Sequence, residues 1–109
     1  MVGQTERAGH AELHDGARLV GVRRQLVTQR RQISGAVQFL LGRWGQLDIL
    51  VNNAGLTYFG RTSEMSVENW DRLLAVNLLA PIQFTCELLP TLLRAPEAHV
   101  VNMASILGL

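Results

Sequence analysis

Lysine is absent from this sequence, and cysteine and tyrosine each occur once. All ten side chains that are positively charged at pH 7 with neutral histidines are therefore arginines, which excludes chemistry that depends on a lysine ammonium group. The single cysteine, Cys86, leaves neither a disulfide framework nor a Cys-x-x-Cys metal site within one chain, so we expect no metal centre. Isolated cysteines are usually buried structural thiols, and we expect the same of Cys86.

Long apolar runs and a strong charge imbalance are also missing. No apolar run approaches the roughly 20 residues that span a bilayer, and the first ten residues contain no apolar segment of a secretory signal. The net charge of +1 gives no argument for nucleic acid, although seven of the ten arginines precede Asp48. With 48% apolar and 17% charged residues, the composition predicts a soluble cytoplasmic protein without membrane or nucleic-acid partners.

The first half of the chain predicts an irregular start followed by a strand and a helix. Residues 1–16 show neither a helical nor a strand period, and we predict a poorly ordered tail there. Residues 17–22 form a short apolar run that suits a buried strand. Apolar side chains then recur at helical spacing over residues 29–44, and Gly45 follows as a helix stop.

The second half continues the alternation of strands and helices. Residues 47–52 are almost continuously apolar, as expected for a parallel strand covered on both faces. Ser66 can cap a helix that reaches about Arg94, and Pro96 stops it. Residues 99–104 supply a further apolar strand, so the order of elements predicts a parallel α/β sheet.

Small and polar residues follow two of these strands. Asn53, Ala54 and Gly55 come just past residues 47–52, and Ser105 comes just past residues 99–104. Parallel strands joined by a crossover helix place their carboxyl ends at one edge of the sheet, so we expect both groups in one crevice. Small side chains let a flat ligand approach the backbone closely, but the same three residues are equally compatible with a simple turn.

An amide in the middle of an apolar helix is the third feature. Asn77 is surrounded by leucine and valine residues, and Pro81 lies four positions later. Proline has no N–H and its ring crowds the carbonyl of residue i−4, so we predict a bend that releases the carbonyl oxygen of Asn77 to hold water. The alternative is a kink in which Asn77 only satisfies local hydrogen bonds.

Three ordered motifs resemble the short-chain dehydrogenase/reductase family. They are Leu-Asp-Ile-Leu-Val-Asn-Asn-Ala-Gly at residues 47–55, Trp-Asp-Arg-Leu-Leu-Ala-Val-Asn-Leu at residues 70–78, and Val-Val-Asn-Met-Ala-Ser-Ile-Leu-Gly at residues 100–108. Asn53 precedes Asn77 by 24 residues, and Asn77 precedes Ser105 by 28, as in the family. The resemblance extends over residues 26–109.

The resemblance implies a Rossmann-type, doubly wound α/β parallel sheet, of which residues 17–109 would form an incomplete, central part. It implies hydride transfer between NAD or NADP and a small-molecule alcohol or carbonyl substrate. Ser105 would orient the substrate oxygen, and the main-chain carbonyl of Asn77 would hold a water in a proton relay. The backbone of Asn53, Ala54 and Gly55 would support the adenosine side and middle of the dinucleotide.

Several family features do not appear, and they lead us to expect that the 109 residues alone are inactive. No glycines have the spacing of the family's phosphate-binding turn, and no Tyr-x-x-x-Lys motif follows Ser105. The single tyrosine, Tyr58, precedes Ser105 and is followed four residues later by Thr62 instead of a lysine. Leu26 stands where the family has an aspartate that accepts a hydrogen bond from the adenine amino group. The alternative function is a non-catalytic interaction module that forms a homo-oligomer through helix 66–94. The substrate and the choice between NAD and NADP stay open.

Overall fold

The computed structural model describes the backbone of residues 3–6, 9–14 and 17–21 and the complete residues 30–106. Five strands form one sheet in sequence order. Pairing is antiparallel from the first strand to the third and parallel from the third to the fifth. The strands are β1 (Gly3–Glu6), β2 (Gly9–His14), β3 (Ala17–Gly21), β4 (Ile49–Asn52) and β5 (His99–Asn102).

The three predicted parallel strands are adjacent in this sheet. Leu19 of β3 lies opposite Ile49 of β4, and Ile49 lies opposite His99 of β5. Helices connect β3 to β4 and β4 to β5, as parallel neighbours require. The predicted parallel α/β arrangement is therefore confirmed.

The prediction of no regular structure in residues 1–16 is wrong where β1 and β2 lie. Gly3 pairs with Glu12 across these two strands, and His10 of β2 pairs with Gly21 of β3. Antiparallel pairing is made by backbone N–H and C=O groups, and these bonds form whether or not side chains alternate along the strand. The side-chain pattern of the sequence therefore does not indicate either strand.

The first helix, α1, spans Arg30–Trp44 and ends at the glycine expected to stop it. Gly45 has a φ of 67°, in the left-handed region, and its N–H donates to the carbonyl oxygen of Leu41 at 2.7 Å. This geometry satisfies one of the carbonyl groups that a helix end leaves without a partner.

The second long helical stretch has three parts. Helix α2 (Val67–Leu74) leads through a π-helical turn (Ala75–Leu79) into helix α3 (Ala80–Leu92). The Ser66 hydroxyl accepts a hydrogen bond from the Asn69 N–H at 3.2 Å, which confirms the predicted N-cap. The helix ends at Leu92, two residues before the predicted end at Arg94.

The described core lies between β4 and the two long helices. Leu50 of β4 and Leu88 of α3 have no exposed surface, and Phe84 is 1% exposed. Burial of each such side chain contributes about 1.5–3 kcal/mol. The remaining core side chains are Ile33, Ala36, Val37, Leu40, Leu47, Val76, Ala80 and Leu92.

A polar contact joins α1 to α3 beside this core. The Ser34 hydroxyl donates to Glu87 Oε1 at 2.8 Å, and Gln83 Nε2 donates to the same oxygen at 2.7 Å. Gln83 Nε2 also donates to the Arg30 carbonyl oxygen at 3.0 Å. These bonds fix the register of the two helices, which apolar packing alone leaves less specific.

One side of α3 and all of β5 are more open. Each residue of β5 is exposed, and so is Cys86, which contradicts the expected buried thiol. Within residues 30–106, the stretch Val67–Leu92 is long and apolar enough to cross a membrane, a test that core helices of soluble proteins also meet. The absence of a membrane partner stays a prediction.

Candidate functional site

The carboxyl ends of β4 and β5 lie side by side. Asn52 is the register partner of Asn102, and the Met103 N–H donates to the Asn52 carbonyl oxygen at 3.0 Å. Residues 53–55 and 103–105 therefore leave the sheet at the same edge. This confirms the predicted placement of Asn53, Ala54, Gly55 and Ser105 at one sheet edge.

Hydrogen bonds among two asparagines and a threonine connect the ends of β4 and β5 to each other and to α3. Asn52 Nδ2 donates to Asn102 Oδ1 at 2.8 Å and to Thr85 Oγ1 of α3 at 3.3 Å. The bonds hold the two strand ends, and thus the segments that follow them, at a fixed spacing. This contact was not predicted from the sequence, although an asparagine ends each of the two apolar runs.

The side chain of Asn77 holds the segment that follows Gly55. Its Oδ1 accepts a hydrogen bond from the Leu56 N–H at 2.8 Å, and its Nδ2 donates to the Leu56 carbonyl oxygen at 2.8 Å. The sequence predicted a role for the main-chain carbonyl of Asn77 or, as the alternative, local hydrogen bonds, and not this contact with a residue 21 positions away. A Cβ on Gly55 would meet Asn77 Oδ1 at 4.0 Å, an ordinary contact, so Asn77 does not require glycine there.

The backbone around Asn77 departs from a regular α-helix. The Ala80 N–H donates to the carbonyl oxygen of Ala75, five residues back, in the π-helical turn that precedes Pro81. Single π-helical turns within α-helices frequently occur at functional sites. The release of the Asn77 carbonyl oxygen to water stays a prediction, and Pro81, which has no N–H, supports it.

A cavity of about 440 Å³ opens between α3 and the ends of β4 and β5. Ala54 and Asn77 both line it, whereas Asn53, Gly55 and Ser105 are not among its lining residues. Its remaining walls combine amides and a hydroxyl with apolar side chains, namely Asn52, Leu78, Pro81, Ile82, Thr85, Cys86, Asn102 and Met103. This volume and chemistry suit a small ligand.

Metal chemistry has no support in the described residues. Among residues 30–106, no group of three His, Cys, Asp or Glu side chains is placed to hold a metal ion. The absence of a metal centre stays a prediction.

A protein-family model described as short chain dehydrogenase matches residues 3–109. This chain belongs to the short-chain dehydrogenase family. The match begins at residue 3, well before residue 26, where the resemblance found in the sequence begins.

Curated relatives agree with this assignment. The 3-oxoacyl-[acyl-carrier-protein] reductase FabG of Thermotoga maritima is 34% identical over 83 residues, which are 76% of this chain and 34% of the relative. Dehydrogenase/reductase SDR family member 7B of Bos taurus is 37% identical over 76 residues, which are 70% of this chain and 23% of the relative. The chain thus spans about a third or less of the length of these relatives.

Solved structures show the same fold. A metagenomic short-chain oxidoreductase, crystallised in complex with NADP, superposes with a TM-score of 0.72 at 33% identity. The superposition covers 77% of this chain and 38% of that protein. The described part of this chain is therefore a portion of a Rossmann-type α/β fold.

Proposed function

We propose that this chain carries part of the cofactor site and part of the active site of an NAD(P)-dependent oxidoreductase. The reaction would transfer hydride between the nicotinamide cofactor and a small-molecule alcohol or carbonyl compound. The observation that carries the proposal is the parallel register of β4 and β5, which brings the Asn53–Gly55 segment and Ser105 to one sheet edge. Membership of the short-chain dehydrogenase family and the NADP complex of a solved relative support it.

The described residues fit an uncharged part of the dinucleotide. Asn53 and Gly55 are exposed and Ala54 is half-buried, so a flat ligand can reach their backbone. No arginine is among the described residues that line the cavity next to them. We therefore assign this edge to contacts with the adenosine side of the dinucleotide, while the charged pyrophosphate needs donors such as a helix N-terminus.

Ser105 and Asn77 would act on the substrate side. When bound, the nicotinamide donates or accepts the hydride. The Ser105 hydroxyl would donate a hydrogen bond to the substrate carbonyl oxygen, which favours the negative charge that develops there during reduction. The main-chain carbonyl of Asn77 would hold a water, while its side chain keeps Leu56 and the adjoining cofactor segment in place.

Residues 1–109 alone would not complete the reaction. Hydride transfer must be accompanied by proton transfer, and the Tyr-x-x-x-Lys motif that performs it in the family does not occur in these residues. Loss of a general acid or base typically costs about 10²- to 10⁴-fold in rate. Without a glycine-rich phosphate-binding turn, binding of NAD(P) would also be weak.

The test is an assay of the 109-residue chain at 340 nm with a panel of alcohols and ketones, alongside calorimetric titration with NADH and NADPH. We expect no turnover and weak cofactor binding. Turnover that survives Ser105→Ala and Asn77→Ala, or tight binding of either cofactor, would contradict the assignment. Reading the gene on both sides of this segment is a second test, since a flanking glycine-rich turn and a Tyr-x-x-x-Lys motif are expected.

An interaction through the long helix is a second candidate function. Leu74, Leu78 and Ile82 follow one another at i, i+4 spacing, and each is about half exposed at 47%, 51% and 51%. An apolar stripe of this length on one helix suits pairing with the same helix of a second copy. Sedimentation of the chain and of its Leu78→Glu variant tests this, because self-association should be lost in the variant. A wild-type monomer would contradict the candidate.

A further inference from the structure

A second cleft lies between the loop after Gly55 and the start of α2. Its volume is about 390 Å³, close to that of the cavity beside Asn77. Four half-buried side chains form its floor, namely Tyr58, Met65, Asn69 and Leu73. Phe59, which is 95% exposed, and Trp70, which is 36% exposed, stand at its rim.

The residues that line this cleft are close along the chain to those that line the cavity beside Asn77. Leu73 precedes Asn77 by four residues, which is about one helical turn or roughly 6 Å along the axis. Tyr58 is two residues beyond Leu56, whose backbone the Asn77 side chain holds. A molecule that reacts near Asn77 could therefore extend into the cleft with its distant end.

The floor combines apolar surface with two hydrogen-bonding groups. Within residues 30–106, neither the Tyr58 hydroxyl nor the Asn69 side-chain amide has a hydrogen-bonding partner in the protein. Met65 and Leu73 provide apolar contact beside them. Ligand pockets typically have such a lining, with a few polar groups that fix the orientation of a mostly apolar molecule.

The charges at the rim balance each other. Arg61 and Glu64 both line the cleft and carry opposite signs. A charged ligand would therefore be attracted by one of these side chains and repelled by the other. The lining favours a molecule without net charge.

We propose that this cleft binds the distant end of the substrate, and that the substrate is a neutral molecule with an apolar body and a hydrogen-bonding group. The identification of the ligand as the substrate rests on the proposed function. The binding itself requires neither the cofactor nor hydride transfer, so the two can be tested separately.

Quenching of Trp70 fluorescence by a nitroaromatic probe tests the binding. The full chain with Trp44→Phe leaves Trp70 as its single tryptophan, and 4-nitrobenzyl alcohol serves as the neutral probe. We expect saturable quenching, after correction for probe absorbance, and at least about fivefold weaker binding of 4-nitrobenzoate and 4-nitrobenzylammonium. In the reverse variant, Trp70→Phe, Trp44 on α1 should show only collisional quenching.

The hydrogen bond between the cleft and the probe is tested by removing the polar group first from the protein and then from the probe. Asn69→Leu should weaken binding of 4-nitrobenzyl alcohol about fivefold, the usual effect of one neutral hydrogen bond, and should leave binding of 4-nitrotoluene unchanged. Gln38→Leu, an exposed amide on α1, is the matched control and should change neither. Tyr58→Phe removes only a hydroxyl and provides a second measurement if Asn69→Leu perturbs the helix.

Three results would overturn the proposal. The first is Trp70 quenching that rises linearly with probe concentration in the Trp44→Phe variant. The second is binding of a charged probe that is as tight as that of 4-nitrobenzyl alcohol, or tighter. The third is an equal loss of binding of 4-nitrobenzyl alcohol and of 4-nitrotoluene in the Asn69→Leu variant. No nicotinamide cofactor is present in these measurements. Failure of the proposed function would therefore remove the identification of the ligand as the substrate, while the measured binding of a neutral molecule in the cleft would stand.

Discussion

The side chain of Asn77 should control the mobility of the segment that we propose as a cofactor contact. Asn77→Ala removes two hydrogen bonds to Leu56, each 2.8 Å long. A hydrogen bond contributes about 0.5–1.5 kcal/mol, and because Asn77 is exposed, water replaces part of each bond. We estimate a local loss of about 1–2 kcal/mol.

Hydrogen exchange measures this loss where it occurs. The Leu56 N–H loses its acceptor in Asn77→Ala, so its amide should exchange faster by about tenfold, the factor that corresponds to 1.4 kcal/mol. Global unfolding by urea should change less, because alanine favours the helix by about 0.5 kcal/mol over asparagine. Gln38→Ala changes an exposed amide on α1 and should leave Leu56 exchange unaltered.

Unchanged exchange at Leu56 in the Asn77→Ala variant would refute this reasoning. Asn77→Asp provides a further check at neutral pH. Its carboxylate can still accept from the Leu56 N–H but would place a second negative oxygen against the Leu56 carbonyl. Exchange in this variant should therefore be faster than in the wild type.

Three further predictions concern stability. Leu50→Ala should lower the free energy of unfolding by about 2–5 kcal/mol in a urea titration, whereas Leu89→Ala, at a position 43% exposed, should cost much less. Gly45→Ala should cost about 1–2 kcal/mol by the same measurement, since its φ of 67° lies in the left-handed region. Ser66→Ala should cost about 1 kcal/mol and reduce helicity in circular dichroism, because the cap to Asn69 is lost. Equal effects at Leu50 and Leu89, or neutral changes at Gly45 and Ser66, would contradict the respective accounts.

The sequence predicted elements with strong local signals. The apolar run around Leu50, the helical period ending at Gly45 and the cap at Ser66 each have a physical cause confined to a few residues. The parallel order followed from the alternation of strands and helices. These features all agree with the structure.

Features without a local signal were missed. Strand β1 pairs with β2, and β2 pairs with β3, through backbone hydrogen bonds. The side chains of β1 and β2 show no period that predicts a strand. The exposure of Cys86 depends on which side of α3 other elements cover. The general tendency of isolated cysteines to be buried does not indicate which side of a helix the other elements cover.

The sequence predicted where the candidate site lies in the fold, but it predicted only some of the contacts within the site. Strand ends fix the position of Gly55 and Ser105, so topology was sufficient for them. The bonds of Asn77 to Leu56 join residues 21 positions apart, and that of Asn52 to Asn102 spans 50 positions. Such contacts depend on how the helix is rotated over the sheet, which sequence spacing does not determine.

The central claim is that the sheet edge at residues 53–55 contacts a nicotinamide cofactor. A titration of the ¹⁵N-labelled chain with NADPH, followed at the backbone amides, tests it most directly. The account predicts shifts of the Ala54 and Gly55 amides that grow with NADPH, while Gly35 and Gly42 on α1 stay unchanged. Shifts confined to α1, or none at Ala54 and Gly55, would contradict it.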